Sequence, residues 1–315
     1  MNKIQEAISN SDSAHWLRRK GKKIILPGFS GVSIYDVCLF FVGQMNKVGL
    51  NDRAAAISFN FLMAIPAATI FICTLIPYTP ISRELIIELL DLTKSIAPNE
   101  NTYGLVANFL NDFLNTPRSG LLSIGFIVAV FYASNAIMGI MRSFNRSLHT
   151  YKERGFIKNR WTAIKLTTVL ILLILSSIAL LVFQGEFFRY AMNSMQIKSE
   201  LVRTLIYSTR SVIIVLLVLC SIGIIYKYAP AITKRWKLAS PGAILATFLV
   251  LASGYLFSFY VNNFGNYNKV YGSIGTILIL MFLIYLNSLI LLIGYELNVC
   301  IHSLKVISDE EKEVA

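Results

Sequence analysis

Few residues of this 315-residue chain have types and spacing that could do chemistry. The three histidines, His15, His149 and His302, lie far apart, and none belongs to an H-x-H or H-E-x-x-H arrangement. The four cysteines form no CxxC pair, so a metal site is not expected. We also find no nucleophile elbow and no phosphate-binding loop. The sequence therefore predicts no enzyme, no catalytic residue, no metal and no cofactor.

More informative are polar residues inside apolar segments. A charge near the centre of a bilayer costs at least about 2.5–3.5 kcal/mol and often marks a functional site. Arg210 lies about five residues into an apolar run. It could extend to the lipid headgroups, or bind a phosphate group inside a cavity that opens outward. Both interpretations remain open.

Three further polar residues are predicted to lie at similar depth near the inner side of the membrane. Glu296 is the acidic residue of the last apolar run, and Asn60 and Asn135 lie in the first and second runs. If these helices adjoin, the three side chains would meet in one polar cluster. Such a cluster would hold helices together by hydrogen bonds, or form a proton or headgroup site.

An eleven-residue turn before the last run, residues 262–272, is rich in asparagine and tyrosine. Asparagine and glycine tolerate left-handed backbone, so a demanding turn is one interpretation. The alternative is a hydrogen-bonding collar for sugar or phosphate groups at the outer mouth. Its candidate binding residues are Asn266, Tyr267, Asn268 and Tyr271.

Composition identifies the elements that position these residues. The chain is 55% hydrophobic and 15% charged, with a mean hydropathy of +0.61. Soluble domains have roughly 45–50% apolar and about 25% charged residues. A span needs about 20 apolar residues. Six such runs predict an all-α polytopic membrane helix bundle, with spans at about 54–78, 120–141, 161–183, 205–226, 241–261 and 273–299.

The remaining segments are predicted from charge and periodicity. Residues 1–31 form a basic cytoplasmic segment, 32–300 the membrane domain, and 301–315 an acidic cytoplasmic tail. The continuous apolar part of residues 32–50 is too short to span the bilayer, so this segment is predicted to form an amphipathic helix at the membrane interface. The first outer loop, 79–118, shows helical spacing of apolar residues, which predicts two short amphipathic helices.

The net charge of +12 has two interpretations. In a soluble domain it would suggest a nucleic-acid partner. Here Lys and Arg concentrate in segments 1–31, 142–160, 227–240 and 300–315, and are sparser in the alternate loops. Because basic residues collect in cytoplasmic loops, we expect both termini in the cytoplasm and no nucleic-acid partner.

Several motifs resemble the YihY/BrkB family of bacterial inner-membrane proteins, once labelled ribonuclease BN. The most specific is Asn266-Tyr267-Asn268-x-x-Tyr271-Gly272-Ser273, between Pro241-Gly242-Ala243 and Gly294-Tyr295-Glu296-Leu297-Asn298. The stretches 132–146 and 54–66 agree with the family, and the resemblance covers roughly residues 32–300. It implies a six-helix membrane bundle in the bacterial inner membrane, without a firmly assigned activity.

The leading functional hypothesis is transport or handling of an amphiphilic envelope component, either an anionic lipid or a lipid-linked glycan. It depends on the polar outer turn, Arg210, and the polar inner residues. Membrane lipids are the expected partners. The alternatives are a non-transporting scaffold or assembly factor, and a small-solute or ion transporter with Glu296 as proton carrier.

Overall fold

The computed structural model describes residues 28–29, 31–47, 49–75, 104, 107–108, 119–147, 154–195, 200–232, 235–263 and 273–314. Within these residues the chain forms seven helices and no strand, which confirms the predicted fold class. The helices are α1 (Ile34–Lys47), α2 (Leu50–Leu75), α3 (Ser119–Asn145), α4 (Phe156–Met195), α5 (Glu200–Tyr228), α6 (Pro241–Asn263) and α7 (Ser273–Val314).

Helices α2 to α7 contain the six candidate membrane spans, with apolar segments of 18 to 33 residues. These lengths are close to or above the roughly 20 residues that cross a bilayer. The apolar part of α1 is shorter, as predicted for a helix before the first span. The predicted helices in 79–118 lie outside the described residues, apart from isolated positions.

Several helices are longer than the predicted spans, most of all α4, which runs over Phe156–Met195 where a span of 161–183 is predicted. Helix α2 begins at Leu50, because Gly49 adopts a positive φ of 60° that turns the chain directly out of α1. Helix α7 continues through the predicted tail to Val314, and at the start of that tail Ile301 and Leu304 still find apolar partners. Those partners include Val37 of α1, which packs on the last part of α7.

The six long helices form a closed ring in chain order. Each packs against the next, α7 packs against α2, and α3 also touches α7 across the ring. Consecutive helices alternate in direction, so the starts of α2, α4 and α6 share one end with the ends of α3 and α5. We call this the basal end, and the opposite one the distal end.

The hydrophobic core lies at the basal end. In the distal direction the described residues 169–177 of α4 and 211–221 of α5 include no buried side chain. Large apolar side chains such as Phe248 and Tyr255 are exposed, as expected for contact with lipid. The core residues come from all six long helices, among them Ala54, Ile57, Ile140, Phe144, Ala163, Leu166, Ile222, Tyr226, Ala243, Ala246, Leu292 and Tyr295.

Candidate functional site

A buried ion pair joins α2 to α7 at the basal end. Arg53 lies in the first turn of α2, next to the buried Ala54, and Glu296 lies in α7. Arg53 Nη1 is 2.9 Å from Glu296 Oε1, and the two side chains are 3% and 0% exposed. The pair therefore places two full charges where water has almost no access.

The end of α3 completes this site. Arg53 Nη2 donates to the Ser143 carbonyl at 2.5 Å and to Ser147 Oγ at 2.7 Å, and the Ser147 hydroxyl donates to Glu296 Oε1. The last four carbonyls of a helix lack intrahelical partners and carry the negative end of its dipole. Arg53 therefore caps α3 while it neutralises Glu296, so one side chain connects three helices.

Three buried polar atoms at or beside the ion pair have no hydrogen-bond partner among the described residues. They are Arg53 Nε, Glu296 Oε2 and the Tyr295 hydroxyl. Leaving a buried donor or acceptor unsatisfied costs about 1–3 kcal/mol, and more for a charged group. The site therefore has free hydrogen-bonding capacity inside the protein.

An aromatic layer packs around the same part of α7. Tyr295 stacks on Phe144 of α3, with ring centroids 3.8 Å apart and planes at 1°. The rings of Tyr226 and Trp236 meet Tyr295 at tilted angles. The Tyr226 hydroxyl donates to the Leu291 carbonyl at 2.7 Å. These rings fill the basal end between α3, α5 and α7.

A close contact between α6 and α7 fixes the position of Glu296. A Cβ atom on Gly242 would lie 1.9 Å from the Gly294 carbonyl oxygen, and one on Gly294 would lie 2.5 Å from that of Gly242. Two residues beyond Glu296, the Asn298 side chain accepts from the Gly242 amide and donates to Ser240 Oγ, both at 2.9 Å. These contacts hold α7 against the start of α6.

The basal loops are also connected. Arg154, just before α4, donates to the carbonyls of Ala229 at 3.4 Å and Pro230 at 2.9 Å, which follow the end of α5. Asn145 at the end of α3 accepts from the Ala231 amide at 3.2 Å. Burial lowers the pKa of Arg154 from its ordinary value, and the nearby charge of Arg235 lowers it further.

The predicted cluster of Asn60, Asn135 and Glu296 does not form. Asn60 donates to the Ala56 carbonyl of its own helix at 2.7 Å. Asn135 accepts from Arg160 of α4. Glu296 pairs with Arg53. Each of these side chains thus has its own partner, a backbone carbonyl or an arginine, although α2, α3 and α7 do adjoin as the prediction required.

The other predicted site residues stay predictions. Arg210 lies within α5, but its side chain is outside the described part of the structure. The outer-turn candidates lie outside the described residues altogether: Asn266, Tyr267, Asn268 and Tyr271.

Sequence reasoning missed Arg53 and Ser147. One signal for Arg53 was present, because a single acidic residue within the spans calls for a cationic partner in the membrane. The apolar runs contain or adjoin four candidates for that partner: Lys47, Arg53, Lys165 and Arg210. Ser147 carried no comparable signal, since it lies in a basic loop after α3.

Six apolar helices around a buried ion pair define an integral membrane protein. In the described residues no three His, Cys, Asp or Glu side chains are grouped so that they could hold a metal ion. The sequence pattern of the family described as Virulence factor BrkB matches residues 41–314, so the chain belongs to this family. The resemblance seen in the sequence is thereby confirmed.

Relatives support this membership. A Bacillus subtilis (strain 168) protein, YfkH, which carries a ribonuclease-like label, is 33% identical over 259 residues, 82% of this chain and 92% of its own. A UPF0761 membrane protein of Tolumonas auensis is 31% identical over 180 residues, 55% of each chain. A Haemophilus influenzae UPF0761 membrane protein is 21% identical over 273 residues, 84% of this chain and 95% of its own. No solved structure matches the chain.

Proposed function

We propose that the protein transports or handles an anionic amphiphile of the cell envelope, either an anionic lipid or a lipid-linked glycan, in the bacterial inner membrane. The basal end faces the cytoplasm in this proposal, with both termini, and acts as the closed gate of the route. The observation that carries it is the buried pair of Arg53 and Glu296.

Energetics favours a functional role for this pair. Replacing a buried ion pair with well-packed apolar residues is often neutral or stabilising by about 1–4 kcal/mol, so such a pair is a poor device for stability alone. Ionisable groups inside membrane proteins usually mark substrate or ion pathways. A pair that links α2, α3 and α7 can separate when those helices move.

The uneven packing of the ring supports a route that is closed basally. Apolar and aromatic side chains fill the basal end, among them Phe144, Tyr226 and Tyr295. The distal stretches 169–177 of α4 and 211–221 of α5 have no buried side chain. A headgroup would enter between the loosely packed distal parts of α4 and α5, while its acyl chains remain in the lipid.

Charge favours an anionic headgroup. The guanidinium of arginine presents a planar fork of donors that matches phosphate and carboxylate. Arg53 already binds one carboxylate oxygen, Glu296 Oε1, through Nη1. The basal surface carries exposed cationic side chains: Arg146, Lys158, Arg235 and Lys237. Such clusters attract anionic lipids at the cytoplasmic surface, which is also where the basic loops are expected.

A scaffold that does not transport is the second candidate. The observation in its favour is the network of basal contacts through Asn298 and Arg154, which would hold a static bundle equally well. In that case the ion pair would act only through stability.

Reconstitution tests the proposal. Purified protein is placed in phosphatidylethanolamine vesicles that contain a trace of phosphatidylglycerol with a fluorescent acyl chain. Movement of the probe between leaflets is followed by quenching from outside, with labelled phosphatidylethanolamine and an unrelated six-helix protein as controls. The proposal requires faster exchange of the anionic probe than in both controls, and equal rates would overturn it.

A further inference from the structure

We propose that Glu296 takes up one proton when Arg53 moves from Glu296 to the anionic group of the amphiphile, so that each negative charge crosses together with one proton. This inference rests on the proposed function and specifies its energy coupling. The residues that carry it are the same buried pair, with the unpartnered carboxylate oxygen of Glu296.

Arg53 cannot leave Glu296 at low cost while Glu296 keeps its charge. The carboxylate is 0% exposed, and breaking a buried pair leaves an uncompensated charge, which typically costs about 3–5 kcal/mol. Addition of a proton removes that charge. The step balances: the carboxylate and a proton give the carboxylic acid, and the guanidinium keeps its charge and pairs with the incoming phosphate oxygen. Release reverses both changes.

The geometry leaves a place for this proton. Arg53 Nη1 and the Ser147 hydroxyl both donate to Oε1 of Glu296, whereas Oε2 has no partner among the described residues. A proton can therefore add at Oε2 before Arg53 departs. The pair then changes from two opposite charges to a cation beside a neutral acid, which weakens it.

Two further buried polar groups of these residues and their neighbour have no described partner. They are Arg53 Nε and the Tyr295 hydroxyl. A buried water typically makes about three hydrogen bonds to such groups. Water at Oε2 would satisfy this atom and supply it with a proton donor.

Arg53 is the one charged side chain that the described structure places in contact with Glu296. Helix α6 meets this part of α7 with glycine and alanine, and α1 meets its last turns with apolar residues. Among the titratable and polar groups around the pair, Arg53 of α2 and Ser147 after α3 bind Glu296 directly, and the Ser143 carbonyl of α3 binds Arg53. Tyr295 and Cys300 lie near Glu296 on α7 itself, and Tyr226 of α5 packs on Tyr295.

The test uses the wild-type protein in phosphatidylethanolamine vesicles with trace labelled phosphatidylglycerol. With strict one-to-one coupling, a pH difference of one unit across the membrane drives the probe to about a tenfold ratio between leaflets. The probe carries one negative charge, so the coupled movement is electroneutral, and a potassium diffusion potential should leave the ratio unchanged. Labelled phosphatidylethanolamine should show no response to the pH difference.

Two outcomes overturn the inference and leave the proposed function intact. One is probe movement that ignores the pH difference, and the other is movement that follows the membrane potential. Absence of any probe movement instead overturns the proposed function itself. Glu296→Gln adds a variant test, since it mimics the protonated acid and should exchange probe without accumulating it under a pH difference. Gly254→Ala, in open space on α6, is the matched control and should behave as wild type.

Discussion

Arginine side chains cap two helices at the basal end, and their surroundings differ. Arg53 caps α3 from inside the core, where it also neutralises Glu296. Arg154 caps α5 from the loop before α4 and is only partly buried. Both donate to carbonyls that lack intrahelical partners. Because Arg154 binds no carboxylate in the described structure, its contribution should be mainly structural.

Arg154→Met should therefore lower stability and leave lipid exchange per folded molecule unchanged. The variant loses two hydrogen bonds from a charged guanidinium to carbonyls. Each such bond contributes about 1.5–3 kcal/mol when buried, and less here because Arg154 is partly exposed. Thermal unfolding in detergent measures the effect. Lys158→Met, at an exposed position two residues into α4, is the control and should shift the midpoint little. Equal midpoints for the two variants would contradict the capping role of Arg154.

At this scale the sequence predicted one member of the site and missed its partners. Glu296 was identifiable because an acidic residue within an apolar run is costly. Arg53 was one of four cationic candidates, and local periodicity does not say which helices close the ring. Asn60 bonds to its own helix, so its polarity did not indicate a tertiary contact.

At the scale of elements, α6 and α7 pack with their backbones in close contact. Gly242 and Gly294 let the two backbones approach until a Cβ on either would overlap a carbonyl oxygen. Small residues at helix crossings allow such approach within membranes. Asn298 then fixes the register of α7 by bonding to the first turn of α6. Glu296 is two residues away, so this contact sets where it meets Arg53.

Gly242→Ala and Gly294→Ala should each destabilise the protein. The added Cβ atoms would lie 1.9 Å and 2.5 Å from backbone oxygens, which cannot move independently. The loss of stability should therefore reach or exceed the usual overpacking cost of about 1–3 kcal/mol. Yield and thermal unfolding in detergent measure it. Gly254→Ala on the same α6 meets nothing within 4 Å and gains helix propensity, so it should be neutral or stabilising. Tolerance of alanine at Gly242 would show that α6 and α7 pack less closely.

The existence of six spans could be predicted from hydropathy, but their ends could not. Run length and composition alone identify a helix that crosses a bilayer. The first turn of α2 depends on the turn at Gly49, and the last turns of α7 depend on packing against α1. Contacts between different elements therefore set both of these helix ends, and run length and composition do not report such contacts.

At the scale of the whole molecule, the ring places all basal loops on one side of the membrane. The two described basal loops carry exposed lysines and arginines, and α1 packs against the part of α7 beyond Glu296. Positive charge on short loops favours the cytoplasmic side. The proposed orientation therefore puts the basal end, α1 and both termini in the cytoplasm.

Cysteine labelling in a cysteine-free background tests this orientation. Probes at the exposed basal positions Lys158 and Lys237 should react with an impermeant maleimide only after permeabilisation. Probes at Asn99 and Ser194 should react in intact spheroplasts. The reverse pattern at any of these positions would contradict the six-span topology or its direction.

The most direct test of the central claim asks whether the Arg53–Glu296 pair serves function or only stability. Arg53→Met or Glu296→Leu alone should destabilise the protein by about 3–5 kcal/mol, whereas the double variant should be close to wild type in stability. The stability change of the double variant minus the sum of the two single changes gives the coupling energy of the pair. A stable double variant thus separates folding from function.

The measurement is the rate at which labelled phosphatidylglycerol exchanges between leaflets in vesicles that contain this double variant. We expect a folded protein with wild-type unfolding behaviour and exchange no faster than in protein-free vesicles, because neither a headgroup partner nor a proton carrier remains. Exchange at the wild-type rate by the double variant would contradict the gate and would leave the pair with a structural role alone.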